Sequence, residues 1–275
     1  MSFSVVTNLA SLSAQNTLTR TNQGLQTTLA RLTSGLRINS SADDAAGLAI
    51  ANRDMLDNTG LTVGIQAAND AISNLQIKDG AMSNVSQLLN RALTLATQAA
   101  SSTFTGSRST LDNEFQSVLS EITRNAKAAG LETGGTDLTT RSVFVGNTQT
   151  NTSASVSYVS FTLTTAVDSQ GLGISTQNVT SQANAAAAIT SIQSAIGTLG
   201  TVQGAVGAAM NRLQFAINEG QTMSTSVQAA QSRIMDANIA AEATNLSKFN
   251  ILTQSGMAAL AQANQSTSAV LHLLQ

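Results

Sequence analysis

The chain contains no cysteine, no proline and no tryptophan, and only one tyrosine and one histidine. Without cysteine it has no disulfides, no thiolate metal sites and no thiol nucleophile. Without proline its helices can run long, free of the kink that a proline ring imposes. Aromatic residues make up 3% of the 275 positions, which argues against a bulky globular core. Charged residues make up 10%, against about 25% in an average soluble domain. The 13 basic and 15 acidic residues leave a net charge of −2. A nucleic-acid partner is therefore not expected, because it needs a surface that neutralises phosphates. The one histidine, His272, lies near the end of the chain, where a helix usually frays, so histidine-based catalysis has little to build on.

Cofactor and metal signatures are missing as well. The sequence has no GxxxxGK[ST], no GxGxxG and no HExxH. Asp43 and Asp44 are adjacent, but no other acidic residues gather around them in sequence. They fit the first turn of a helix, which favours negative charge, better than a metal site. The chain reads as a structural protein and not as an enzyme.

What is present is 42% apolar, with Ala, Ser, Thr, Asn, Gln and Gly filling most of the rest. Such a chain suits long helices that approach closely through small side chains. The first charge is Arg20, and polar residues break up positions 1–20, so a Sec-type signal is not expected. The longest charge-free stretch, residues 169–211, is interrupted by Gln182, Asn184, Gln193 and Gln203. It reads as a soluble helix packed on another helix, and membrane insertion is not expected.

Helical periodicity dominates both ends. One heptad seam reads Leu61, Ile65, Ala68, Ile72, Leu75, Asp79, Met82, Ser86, Leu89, Leu93, Ala96. A shorter helix follows with Leu111, Phe115, Val118, Ile122 and Ala126. A third seam begins at Ile189 and Ile192 and runs through Leu199, Val206, Leu213 and Ile217 to Ile234. It slips by one residue and resumes as Met235, Ile239, Glu242, Leu246, Phe249, Thr253, Gly256, Leu260, Ala263, Thr267, Val270, Leu274. The last 90 or so residues therefore form one very long helix or two end to end.

At the N-terminus Leu9, Leu12, Leu18, Leu25, Leu29, Leu32 and Leu36 make a matching stripe. Gly35 marks a helix end. Ser40-x-x-Asp43 and Ser41-x-x-Asp44 are overlapping capping boxes that open the next helix. Between the helical ends, residues 131–182 are rich in Thr, Ser and Gly. There Ser142–Val145 and Val156–Leu163 read as short strands, paired as a hairpin around Asn147–Ser153. Each end carries an apolar stripe that needs a partner, and the opposite end supplies one. Stripes left over on an extended rod would expose a large apolar patch, which implies self-association.

Particular segments carry a resemblance. Residues 32–53, LTSGLRINSSADDAAGLAIANR, resemble the N-terminal signature of bacterial flagellins. SRIMD at 232–236, GMAALAQAN at 256–264 and VLHLL at 270–274 resemble the C-terminal one. The Val143–Asn147 stretch is similar to that family's β-hairpin region. Together the matches cover about residues 1–130 and 183–275.

The resemblance implies a mainly α fold: an elongated rod with long antiparallel coiled-coil helices from both termini and a small central hairpin. Residues 1–40 and 236–275 would form the terminal coiled coil. Residues 41–235 would form the rod, with its β patch near 131–182 and no large outer domain. Ser40, Ser41, Asp43 and Asp44 would lie at the domain joint.

The implied function is a structural subunit that polymerises with itself into the hollow filament of the bacterial flagellum, used for swimming. Such subunits are secreted unfolded through the type III route, with an export apparatus, an export chaperone and a filament cap as partners. They end outside the cell, and their own ends become ordered only on assembly. The assembly seams would use Leu9, Leu25, Leu29, Leu32, Leu36, Leu246, Phe249, Leu260, Val270 and Leu274. Residues 89–98, LNRALTLATQ, are similar to the patch that a vertebrate Toll-like receptor recognises. That similarity points to Arg91, Leu95 and Gln98, with Glu114 on the adjacent helix. Two other readings share parts of the pattern: a hook–filament junction protein with the same ends, and a chemoreceptor-like signalling coiled coil of similar composition.

Overall fold

The structure is a computed structural model. It describes the backbone of residues 8–150 and 153–273, and the side-chain surroundings of residues 8–146 and 156–265. The described residues form α1 (Leu9–Ser34), α2 (Ala45–Ala100), α3 (Arg108–Ala128), β1 (Thr140–Thr150), β2 (Ser153–Thr162), α4 (Gln182–Met235) and α5 (Ile239–Leu273). Most of the described residues are helical. It divides into two compact units, residues 57–225 and the pair of segments 1–56 and 226–275.

The core lies in the unit formed by residues 57–225. Along α2 the row Leu61, Ala68, Leu75, Met82, Leu89, Ala96 is buried throughout. The second row differs from the expected one. Ile65, Ile72, Asp79, Ser86 and Leu93 are only half-buried, and the inner row is Lys78, Val85, Ala92, Ala99. The helix α4 does the same: Ala188, Ala195, Val202 and Ala209 are buried, whereas Ile189, Ile196 and Met210 sit half-buried at the edge. Small side chains let the helix axes come close, so alanine takes the centre and the larger aliphatics cover the flank. Phe115, Leu119, Ile122 and Ala126 of α3 complete the helical part of this core.

The segment 163–181 has no regular secondary structure, yet Leu163, Val167, Leu172, Ile174 and Val179 are all buried in the same core. Its backbone polarity is met from several sides. The Val167 N–H donates to the Leu131 carbonyl (2.9 Å). The Asp168 carboxylate, 5% exposed, accepts from the Thr133 hydroxyl and the Gly171 N–H. The Val179 N–H donates to Asp112 of α3 (2.8 Å), and the Gln116 amide donates to the Gln177 carbonyl (2.9 Å). A buried loop is tolerable only with this degree of satisfaction.

The hairpin is longer than the sequence reading: β1 runs on through residues 147–150, which were expected to form the loop. It is antiparallel, with Thr140 opposite Thr162 and Phe144 opposite Tyr158, and an irregularity between Phe144 and Gly146. Its backbone seats directly on α2. A Cβ built at Gly64 would stand 2.4 Å from the carbonyl carbon of Val145. Only glycine permits that approach. Gly64→Val should therefore destabilise the chain by roughly 1–3 kcal/mol, the usual cost of overpacking. Gly80, in the same helix with open space around it, is the contrast: Gly80→Ala should stabilise by about 0.5–1 kcal/mol. Denaturant midpoints of the two variants test this, and a Gly64→Val chain as stable as the parent would refute the seat.

A window of α4 reaches a mean hydropathy of 1.2, so by length and composition the helix meets the test for crossing a membrane; 33% of that window is buried within the protein. Its inner row, from Ala185 to Gly220, lies in the protein core.

Candidate functional site

The terminal helices α1 and α5 pack as an antiparallel pair. As the residue number rises along α1, the partner number in α5 falls. Asn8 donates its side-chain amide to the Ala263 carbonyl (2.9 Å). Leu18 meets Gly256, the Phe249 ring lies over Gly24, and Arg31 reaches Glu242. The inward face of α1 reads Ser11, Ala14, Leu18, Thr21, Gly24, Leu25, Thr28, Arg31, Leu32. That of α5 reads Glu242, Leu246, Phe249, Thr253, Gly256, Leu260, Ala263.

This pair is poorly covered by itself. Among the described residues α1 buries only Thr21 and Thr28, and α5 buries none. Leu25, Leu32, Leu36, Leu246, Phe249 and Leu260 are half-buried. Leu9 is 71% exposed, and Leu12, Leu29, Ile251, Leu252 and Met257 also face outward. The side chain of Val270, and Leu274 and His272 with it, lie outside the described residues.

The two terminal segments leave helix at the same level, where Leu36 and Asp236 meet. The helix α1 ends at Gly35, whose φ of 72° is left-handed and suits glycine, and its N–H donates to the Arg31 carbonyl. The helix α4 ends at Met235 and α5 begins at Ile239, so the slip in the heptad pattern is a true break. There Leu36 bridges Asp236. The Arg37 N–H donates to the Met235 carbonyl (2.6 Å), and the Ala237 N–H donates to the Gly35 carbonyl (2.9 Å). The Arg37 guanidinium donates to the Ile234 carbonyl, a C-terminal acceptor of α4 that no intrahelical N–H can reach. It also pairs with Asp44 at 3.7 Å.

The expected capping residues divide their work differently. Asp44, not a serine, caps α2 by accepting from the Gly47 N–H (2.8 Å). Asp43 accepts from the backbone N–H groups of Asn39 and Ser40 and from the Ser40 hydroxyl, which folds the link ahead of the helix. Ser41 is exposed. The two serines fall short of the cap because α2 starts at Ala45, beyond the reach of their hydroxyls.

The backbone donors of Asn39 and Ser40 hold the Asp43 carboxyl below its ordinary range, aided by the Ser40 hydroxyl and the Arg31 charge and opposed by desolvation. A depressed carboxyl stabilises the fold when ionised. Its contribution is complete above the ordinary carboxylate pKa of about 4 and fades as pH falls through the lower folded value. Acid titration should thus loosen the link 36–44 below about pH 4. Asp43→Asn should show a smaller acid response in hydrogen exchange at Asn39 and Ser40; an equal response would exclude Asp43 as the cause.

The receptor-like patch is divided by burial. Arg91 donates from Nε to Glu114 Oε1 (2.9 Å) and pairs with it through Nη2 as well, and both side chains are exposed. Gln98 is exposed. Leu95 is 1% exposed and belongs to the core, so it offers nothing to a partner. The heptad position of Leu95 turns it inward beside Ala92, Ala96 and Ala99, where the motif alone could not place it.

Comparison with known proteins completes the picture. Residues 5–132 match the bacterial flagellin N-terminal helical region, and residues 189–274 match the bacterial flagellin C-terminal helical region. The chain belongs to the bacterial flagellins. It is similar to the flagellin of Halalkalibacterium halodurans, at 34% identity over 92% of this chain and 93% of that one. It is 30% identical to the flagellin of Listeria innocua, over 98% and 99%. It is 31% identical to the flagellar filament 33 kDa core protein of Treponema phagedenis, over 98% of each chain. This flagellin is a structural subunit of the flagellar filament, and neither the hook-junction nor the chemoreceptor reading is favoured. The two family regions contain α1, α2, α3 and most of α4 and α5; the hairpin and the buried loop 163–181 lie between them.

Proposed function

We propose that this flagellin is secreted and polymerises through the paired α1 and α5 helices, which line the inside of the filament. Residues 1–40 and 236–275 form that inner coiled coil, and residues 41–235 form the rod around it, joined at Ser40–Asp44. The supporting observation is the bare apolar surface of the pair: Leu9, Leu12, Leu29, Ile251, Leu252 and Met257 are exposed while almost nothing is buried between the helices. Burying such side chains is worth about 1.5–3 kcal/mol each, and neighbouring copies of the same pair provide the cover.

Secretion unfolded through a type III apparatus, with a chaperone and a distal cap, accords with a chain that has no disulfide to form or break. A receptor contact would use Arg91 and Gln98 of α2 with Glu114 of α3, with Arg91 and Glu114 first parting from each other. Seeding the purified protein with filament fragments tests the main reading. Long filaments in negative stain are expected, and their absence under every seeding and salting-out condition would reject it.

A further inference from the structure

We propose that Arg31 is a two-position latch at the helix break, bonding in turn to Asp43 of the link and to Glu242 of α5. Its Nη1 lies 3.4 Å from Glu242 Oε1, and its Nη2 lies 3.9 Å from Asp43 Oδ1. A closed guanidinium–carboxylate pair stands at about 2.7–2.9 Å; Arg31 instead makes one long hydrogen bond, to Glu242, and a looser ion pair, to Asp43. Its Nε is buried and reaches no protein acceptor.

Both carboxylates hold one oxygen toward it. The hydrogen bonds of Asp43 from Asn39 and Ser40 all arrive at Oδ2, leaving Oδ1 toward Arg31. Glu242 takes the Asn245 amide on Oε2 and presents Oε1. Room to move exists on either side. A cleft of about 250 Å³ lies toward Asn39, Ser40 and Asp43, and one of about 270 Å³ lies toward Glu242, Asn245 and Phe249. Neither carboxylate depends wholly on the arginine. Asp43 has its backbone donors, and Glu242 sits in the first turn of α5, where the helix itself favours a negative charge. Two acceptors of similar standing, on segments tied at the break by the Leu36–Asp236 bridge and by the Arg37 guanidinium on the Ile234 carbonyl, make two arrangements of the break.

The latch rests on the assembly reading only in that it is measured in the filament. The absence of native cysteine allows a clean test. Ala42→Cys and Ala240→Cys, both at exposed positions, carry spin labels in the full-length chain, diluted into excess unlabelled parent and assembled. Filament formation by the parent is scored separately by microscopy. The label distance should show two populations. Asp43→Asn should retain one of them and Glu242→Gln the other, so that the mean distance moves in opposite directions. Arg31→Lys, which has a single point charge, should also narrow the distribution. Superimposable distributions, or shifts in the same direction, would overturn the latch. So would failure of both amide variants to enter filaments built by the parent, because each should keep one permitted arrangement.

Discussion

A chain ended at Met235 is expected to form no filaments while residues 57–225 stay folded. The truncation removes α5 and with it the only face that α1 packs on among the described residues: Leu246, Phe249, Gly256 and Leu260 against Leu18, Gly24, Leu25 and Leu32. The main core is untouched, since every residue of its buried cluster, from Ala68 to Ile217, lies inside 57–225. A pelleting assay should fall from near-complete assembly to background. The main calorimetric transition should move little, because α1 and α5 contribute almost no buried apolar surface to it. Filaments from the truncated chain would show that assembly is carried elsewhere, and collapse of the main transition would show that the units are not separately stable.

Asp137→Ala should be among the most damaging single changes in residues 57–225. Lys78 is 4% exposed within the core row of α2. Its Nζ donates to the Ala129 carbonyl (3.2 Å) and to Asp137 (2.5 Å), while Asp137 also pairs with Arg141. Burial pushes the Asp137 carboxyl up, but the hydrogen bond and charge of Lys78, with the charge of Arg141, outweigh it and hold the group below its ordinary range. Removing the carboxylate leaves a buried ammonium beside a lone carbonyl, which costs about 3–5 kcal/mol.

Lys78→Met removes the buried charge itself and should cost less, because Asp137 retains Arg141. The double variant should then be more stable than Asp137→Ala alone, with a coupling of about 0.5–3 kcal/mol. Urea unfolding of the four chains gives the cycle. Strict additivity would mean that Lys78 is satisfied without Asp137.

Several elements were legible in the sequence because one period governed them. From Glu242 on, the expected α5 row Leu246, Phe249, Thr253, Gly256, Leu260, Ala263 is the inward row of the structure, whereas its first α5 member, Ile239, is 49% exposed. The end of α1 signalled by Gly35 is present, and the slip after Ile234, which left one long helix or two open, falls at a break between α4 and α5.

Other features were hidden for identifiable reasons. The inner rows of α2 and α4 contain Ala92, Ala99, Ala188, Ala195 and Ala209, and a pattern read from large side chains passes over alanine. Lys78 occupies a core position because its charge is met from Ala129 and Asp137, partners distant in sequence. The loop 163–181 has no period to detect, and its anchoring depends on α3 and the 129–135 turn. At the candidate site, Asp43 and Asp44 were visible as a pair, but their separate roles depend on where α2 starts. Arg31 has no signal in the sequence, since only folding places Asp43 and Glu242 around it.

The central claim is that the α1–α5 pair acquires its cover from other copies of the chain. Hydrogen exchange of residues 9–34 and 239–265, compared between dilute monomer and assembled filament, tests it most directly. The expected result is fast exchange of both helices in the monomer, strong protection of both in the filament, and little change in α2–α4 within residues 57–225. Equal protection of the terminal helices in the two states would contradict the account.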